Sequence, residues 1–317
     1  MSGASPRPGT IAGARGLLAG VLGHPLARVG VVMLVALGVG SLVGAAFLDA
    51  VTPVARPQTE PSWAHWLGTT GQGQDVFAQL VVATRNSLAS GLLVGVLVVA
   101  IGAAVGVTAG YLGGWVDEVL SLLVNVLLVV PSLPLAIVVA VYLPSGFGAV
   151  LSVLVLTGWA WNARVVRAET LSVARRDFVA AAVVSGEGHA RVLFAEILPN
   201  LGALLASQVV TSTTYAVGAQ VGLEFLGLGD VGAVTWGTML YWATNDQALL
   251  TRAWWTFVPT GLVIAGVGLA LTTIGYAVDE LANPRLGVER RFRVALGREG
   301  IRAGRDTPVA LDAGGVA

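Results

Sequence analysis

The chain has 317 residues, of which 55% are hydrophobic and only 11% are charged. Soluble domains carry about 25% charged residues, so this composition indicates a protein whose solvent is largely lipid. It contains no cysteine, and all 18 of its basic residues are arginine. Disulfides, thiolate metal sites and Schiff-base lysines are therefore excluded, and so is ATP hydrolysis through a standard P-loop, which needs a lysine.

The residues that usually carry enzyme chemistry are scattered. The three histidines, His24, His65 and His189, lie far apart in the sequence and form no i,i+4 pair. No nucleophile motif, metal-ligand spacing or pair of carboxylates is evident. We expect no catalytic site, no metal site and no nucleic-acid partner.

Six segments are long and apolar enough to cross a bilayer as helices, which takes roughly 20 residues for a hydrocarbon core of ~30 Å. They are Val29–Leu48, Ser87–Gly110, Val119–Tyr142, Gly148–Trp161, Leu201–Leu223 and Phe257–Val278. None has an acidic or basic residue in its interior. The fourth is short, and we expect its helix to extend toward Arg167. Pro131 and Pro134 predict a kink in the third.

Arginine placement predicts the orientation of these spans. Fifteen arginines lie in the N-terminal tail, the loop after the fourth span and the C-terminal tail, whereas only Arg56, Arg85 and Arg252 lie on the other side. By the positive-inside rule, both termini and the 164–200 loop are cytoplasmic. The predicted organisation is a tail at 1–28, a first span at 29–48, an extracytoplasmic segment at 49–86, a five-helix core at 87–286 and a tail at 287–317, which we expect to be disordered.

The cytoplasmic stretch 177–200 is too long for a simple connector. We predict a short helix at Phe178–Val184, a break at Gly186 and Gly188, and a second helix at Ala190–Leu198 that Pro199 closes. One interpretation is an amphipathic elbow at the membrane interface. The other is a helix-turn-helix knob that docks into a groove on a cytoplasmic partner.

This stretch resembles the EAA loop of ATP-binding-cassette importer permeases, whose pattern is EAA, three residues, Gly, nine residues and I-x-L-P. The matching positions are Ala181, Ala182, Gly186, Leu198 and Pro199. Two positions depart from the pattern, because Ala180 stands for the glutamate and Glu196 for the isoleucine.

Further segments are similar, in the same order, to dipeptide, oligopeptide and nickel permeases of the C-subunit type. They are Gly68–Val76, Ala109–Asp117, Val126–Ser132, Glu224–Gly229, Trp236–Leu240 and Asn283–Leu286. With the loop, the resemblance covers roughly residues 65–286.

The resemblance implies an all-α fold of six transmembrane helices, the type I importer permease, in the cell (cytoplasmic or inner) membrane. It implies half of a translocation pathway for peptides, or alternatively for nickel or another small solute. The implied partners are a second permease subunit in a heterodimer, two ATPase subunits or domains that bind ATP and magnesium, and an extracytoplasmic solute-binding protein. We expect Gly186 to be the hinge of the loop, because a Cβ there would hinder the tight reversal between the two short helices. We also expect Gly186→Asp to uncouple transport from ATP turnover.

Polar residues of the fifth span are candidates for lining the pathway, namely Gln208, Ser212, Tyr215 and Gln220. Hydrogen bonding between helices is the alternative explanation. A secondary transporter or a channel is the rival to an importer subunit as a whole. Ion-coupled carriers usually place charged residues inside the membrane, and the six predicted spans have none.

Overall fold

The computed structural model describes residues 20–142 and 146–282. Over these residues the chain is helical apart from loops and one isolated bridge between Thr69 and Asp75. The main helices are α1 (Pro25–Gly44), α2 (Val76–Leu112), α3 (Gly114–Val129), α4 (Ser132–Tyr142), α5 (Phe147–Ala174), α6 (Asp177–Val184), α7 (Gly202–Phe225), α8 (Trp236–Asn245) and α9 (Val258–Ala282). The C-terminal tail, the Asn283–Leu286 motif and residues 1–19 lie outside this part of the chain.

Five helical segments are long and apolar enough to cross a membrane, and the bent pair α3–α4 would make a sixth if it forms one span. The prediction of an all-α, six-helix membrane protein is therefore confirmed. The expected extension of the fourth span is also confirmed, because α5 continues to Ala174.

Two helices have other bounds than the predicted spans. The first helix is Pro25–Gly44 rather than Val29–Leu48, since Pro25 suits the first helical turn, where its missing N–H is not needed. The second helix begins at Val76 rather than Ser87, because the Asp75 carboxylate accepts a hydrogen bond from the Ala78 N–H and caps the helix there. The last part of the expected extracytoplasmic segment, 76–86, is thus helical.

The predicted kink in the third span is a break. The axes of α3 and α4 differ by 86°, and Val130 and Pro131 lie between them. Val130 has extended backbone angles (φ −81°, ψ 125°), as expected for the residue before a proline. Pro131 lacks an N–H and its ring opposes the helical path, so the helix ends at Val129.

Helix α2 packs against α5 and α7, and glycines of α2 lie at the closest contacts. A Cβ at Gly95 would lie 2.3 Å from Thr213 Oγ1 on α7, and one at Gly106 would lie 2.5 Å from the Ala163 carbonyl on α5. Small residues permit this close approach of helix backbones. The exposed faces of α5 and α7 therefore lie on the side of the bundle away from α2.

Helix α8 and the loop before α2 form a cap at the opposite end from α6. The Trp236 side chain is fully buried, and its indole N–H donates to Thr84 Oγ1 (3.2 Å). The buried Glu224 carboxylate accepts from Thr235 Oγ1 (2.6 Å) and from Gln220 Nε2 (2.8 Å). These contacts fix α8 against α2 and α7.

Candidate functional site

The 177–200 segment contains the two short helices that its sequence predicts. Helix α6 ends at Val184, and a turn through Gly186 and Gly188 leads to a second helical stretch that starts at His189. Gly186 has φ +81°, and a Cβ there would meet nothing within 4 Å. The turn therefore requires glycine because of its own left-handed backbone and not, as we expected, because a side chain would obstruct the reversal.

The expectation that Pro199 closes the second helix was wrong. The chain runs from the turn His189–Arg191 through a π-helix at Val192–Ile197 and a 3₁₀ turn at Leu198–Leu201 directly into α7. In an α-helix the proline ring clashes with the carbonyl group four residues earlier. The wider π-helix before Pro199 and the tighter 3₁₀ turn around it accommodate the ring. From His189 onward the segment is thus continuous with α7, and together they form one helix from His189 to Phe225.

The inner side of the segment is held by an apolar cluster. Val179, Val192, Ile197 and Leu201 are at most 2% exposed and pack with Val107, Val166 and Val173 at the ends of α2 and α5. Among the motif positions, Ala182 and Leu198 are partly buried against this cluster. Glu196 is half-buried, and its backbone carbonyl accepts from Asn200 Nδ2 (2.6 Å). The segment therefore has a rigid base on two membrane helices.

The outer side of the segment is small and apolar. Ala180 and Ala181 are exposed, Val184 is 88% exposed and Phe194 is 70% exposed. The charges next to this side along the chain are Arg176 and Asp177 at the start of α6, the Glu187–Arg191 ion pair (3.0 Å) after the turn, and the half-buried Glu196. Because Ala180 replaces the glutamate of the EAA pattern, the exposed face of α6 offers shape and apolar surface rather than charge. We call this face, with Ala180, Ala181, Val184 and Phe194, the docking surface.

Three of the four polar positions predicted on α7 are accessible or half-buried. Tyr215 is 43% exposed, and its hydroxyl lies 2.8 Å from Ser132 Oγ at the start of α4. Ser212 is half-buried and hydrogen-bonds the Asn162 amide on α5 (3.2 and 3.3 Å). Gln208 is also half-buried. The structure thus leaves a lining role open to these three residues.

The structure does not support a lining role for Gln220. Its side chain is 1% exposed, receives a hydrogen bond from Ser90 Oγ (2.7 Å) and donates to Glu224. An amide enclosed between α2 and α7 joins helices of one subunit and does not reach a pathway at the surface.

A polar seam between α3 and α5 was missed by the sequence analysis. Arg167 forms a two-pronged ion pair with Asp117 (2.5 and 2.6 Å), and Arg164 Nη2 donates to Asn125 Oδ1 (2.7 Å). The signal was present, because Asp117, Ser121 and Asn125 recur every four residues along one face of α3. A cavity of about 200 Å³ lies along this seam.

Comparison with known proteins identifies the family of the chain. Residues 102–288 match the family described as the inner membrane component of binding-protein-dependent transport systems. The chain belongs to this family. It is a multi-pass membrane permease subunit of an importer that works with a solute-binding protein and an ATPase.

Curated relatives of this permease are similar along most of their length. It is 31% identical to the oligopeptide transport system permease protein OppC of Lactococcus lactis strain IL1403, over 70% of this chain and 76% of the relative. It is 30% identical to OppC of Bacillus subtilis, over 83% and 87%. It is also 30% identical to the dipeptide transport system permease protein DppC of Bacillus subtilis, over 83% of each chain.

Proposed function

We propose that this chain forms half of the translocation pathway of an ATP-driven peptide importer. The printed names of its relatives, oligopeptide and dipeptide permeases, support peptides as the substrate class. The other half is a second, different permease of the same fold. The binding protein delivers peptide on the side of α8, and both termini of the permease lie in the cytoplasm, in keeping with the arginine distribution.

In this proposal two partner ATPases bind ATP and magnesium and close on each other during the cycle. Each closure moves the docking surface on its permease. Because the segment from His189 runs without a helix end into α7, its displacement is transmitted directly to the helix that carries Ser212 and Tyr215. The packing of Val192 and Ile197 against α2 and α5 adds those helices to the moving unit. Rigid helices of this kind can alternate access to a pathway.

The observation that carries the proposal is the exposed apolar surface on this rigid base. A side chain such as Val184, which is 88% exposed, contributes little to the stability of an isolated subunit. Large exposed apolar side chains at the tip of a buried, well-packed segment are typical of an interaction site. We therefore expect the ATPase groove that receives α6 to be largely apolar.

The test uses the assembled transporter in proteoliposomes. Val184→Asp places a charge on the docking surface, and we expect ATP-driven uptake of a labelled dipeptide to fall at least tenfold, with less ATPase retained on purification. Val54→Asp is the matched control, because Val54 is 50% exposed in the extracytoplasmic loop; its uptake should stay near that of the wild type. Equal behaviour of the two variants would remove the docking role. Uptake of nickel and not of peptide by the wild type would contradict the proposed substrate.

A further inference from the structure

The seam between α3 and α5 contains an arginine whose charge is not neutralised within the described part of the chain. Arg167 takes both carboxylate oxygens of Asp117, and Ser121 Oγ donates to the same carboxylate (3.0 Å). Arg164 forms no ion pair among residues 20–142 and 146–282, and its hydrogen bond goes to the neutral amide of Asn125. A guanidinium has five N–H donors, so most of those of Arg164 remain free to bind a ligand.

Arg164 faces the side of the bundle where a pathway between two subunits would run. Helix α2 packs behind α5 at Gly106 and behind α7 at Gly95. In the second half of α5 the exposed residues are Trp161, Arg164, Ala168, Glu169 and Ser172. The exposed residues of α7 include Thr211 and Tyr215. Hydrogen bonds between the buried Asn162 side chain and Ser212 join α5 directly to α7.

The surroundings of Arg164 suit a small anion. The cavity of about 200 Å³ is lined by Leu120 and Val124 as well as by the polar seam. The Arg164–Asn125 hydrogen bond is itself exposed, so an anion can approach the guanidinium from solvent. The Asn125 amide holds the guanidinium at one nitrogen and leaves its other edge open, and a planar guanidinium pairs with a carboxylate through two parallel hydrogen bonds.

We propose that Arg164, held in place by Asn125, binds the C-terminal carboxylate of the peptide during its passage. This inference rests on the proposed peptide-importer function. The cavity also contacts the last turns of α2 at Val105, Gly106 and Ala109, near the end that carries the docking surface. Arg164 thus meets the substrate in the half of the pathway closest to the ATPases. Every linear peptide has this carboxylate whatever its sequence, so Arg164 would recognise a group that all peptide substrates share.

The test compares two forms of one dipeptide, with a free and an amidated C-terminus, in proteoliposomes that contain the complete transporter and its binding protein. For each form, the uptake rate of Arg164→Gln is divided by that of the wild type. Any preference of the binding protein cancels in this ratio, since the same binding protein serves both permeases. We expect Arg164→Gln to slow the free acid about tenfold, equivalent to about 1.4 kcal/mol, and the amide less than twofold. Arg164→Lys should keep part of the difference, and Arg56→Gln, in the extracytoplasmic loop, should slow neither form.

Equal slowing of the two forms would overturn the inference, because a loss of folding or of coupling does not depend on the peptide terminus. Arg164 could instead hold a lipid phosphate; the effect of Arg164→Gln would then be equal for the two peptides and would vanish in vesicles without anionic lipid, which would also overturn it. Failure of the wild-type complex to transport either peptide would contradict the proposed function itself and is distinguishable from both results.

Discussion

The hydroxyl of Tyr111 lies 3.0 Å from Nδ1 of His189, and this hydrogen bond joins the last turn of α2 to the first residue of the helix that continues into α7. Their rings also meet edge to face, with centroids 5.7 Å apart. The contact connects the 177–200 segment to a helix that is not its neighbour in sequence. Removing this contact therefore tests whether α2 moves with the segment.

Tyr111→Phe keeps the ring contact and removes the hydrogen bond. An exposed hydrogen bond of this kind stabilises by about 0.5–1.5 kcal/mol, so we expect peptide uptake per ATP hydrolysed to fall about two- to fivefold, with normal insertion. The measurement is the ratio of the two rates in proteoliposomes. Tyr276→Phe, on the exposed face of α9, is the control and should leave the ratio unchanged. An unaltered ratio in Tyr111→Phe would mean that this hydrogen bond does not contribute to coupling.

Substitutions at Gly186 can distinguish the effect of backbone strain in the turn from the effect of an added charge. At φ +81° with open space around its Cβ position, Gly186→Val introduces about 1–2 kcal/mol of backbone strain without a collision. Asn and Asp tolerate this conformation better, so Gly186→Asn should transport nearly as well as the wild type. We expect Gly186→Val to uncouple uptake from ATP turnover. Gly186→Asp then reports the effect of a charge beside the docking surface. Equal activity of the Val and Asn variants would show that the turn is not constrained.

Two aspartates in loops, Asp49 after α1 and Asp246 after α8, have pKa values displaced in opposite directions. Burial raises the pKa of Asp246 above 3.8, and a hydrogen bond from the Gly71 N–H offsets part of this. Hydrogen bonds from Thr52, and from the N–H groups of Val51 and Thr52, lower the pKa of Asp49. The folded protein therefore binds a proton at Asp246 more readily than the unfolded chain does, and at Asp49 less readily.

The two amide variants should consequently change stability with opposite signs. Ionised Asp246 destabilises the fold at pH 7, so Asp246→Asn should raise Tm there by about 1–2 °C, and the gain should shrink as the pH falls toward 4 and the wild-type carboxyl is protonated. Asp49→Asn should lower Tm at pH 7, and most of this loss should persist at pH 4, because the folded-state pKa of Asp49 lies below 3.8. Thermal unfolding of the detergent-solubilised protein between pH 4 and 8 measures both. Shifts of the same sign would contradict these assignments.

The sequence predicts the membrane helices well because each long uncharged run has only one way to satisfy its backbone in lipid. It misses the first turns of α2, where Gln79, Thr84 and Arg85 interrupt the apolar run although Asp75 caps the helix earlier. It also predicts a kink at Pro131 but not a break of 86°. Local patterns report where a helix is possible, whereas its ends and angles depend on caps and packing.

The candidate site was predicted in part. The two short helices around Gly186 follow from glycine spacing, but the continuity past Pro199 depends on a π-helix that no local rule indicates. The Arg164–Asn125 contact joins residues 39 positions apart and follows only from the packing of α3 on α5. Gln220 looks like Tyr215 in sequence, as a polar residue in the same span, and only the position of Ser90 and Glu224 shows that it is enclosed.

That difference between Tyr215 and Gln220 supplies the last prediction, for which the absence of native cysteine in the chain gives a clean background. Tyr215→Cys, at a 43% exposed position, should react with a membrane-impermeant maleimide if α7 lines an aqueous pathway. Ser212→Cys should react more slowly because Ser212 is half-buried, and Gln220→Cys should not react. Leu269→Cys controls for lipid, since Leu269 is 66% exposed on the apolar surface of α9 and a thiolate does not form in hydrocarbon. Labelling of Tyr215→Cys should also change with ATP in the assembled transporter, whose partner subunits must be free of cysteine. If Tyr215→Cys were as unreactive as Leu269→Cys in every nucleotide state, the exposed face of α7 would contact lipid and not the pathway.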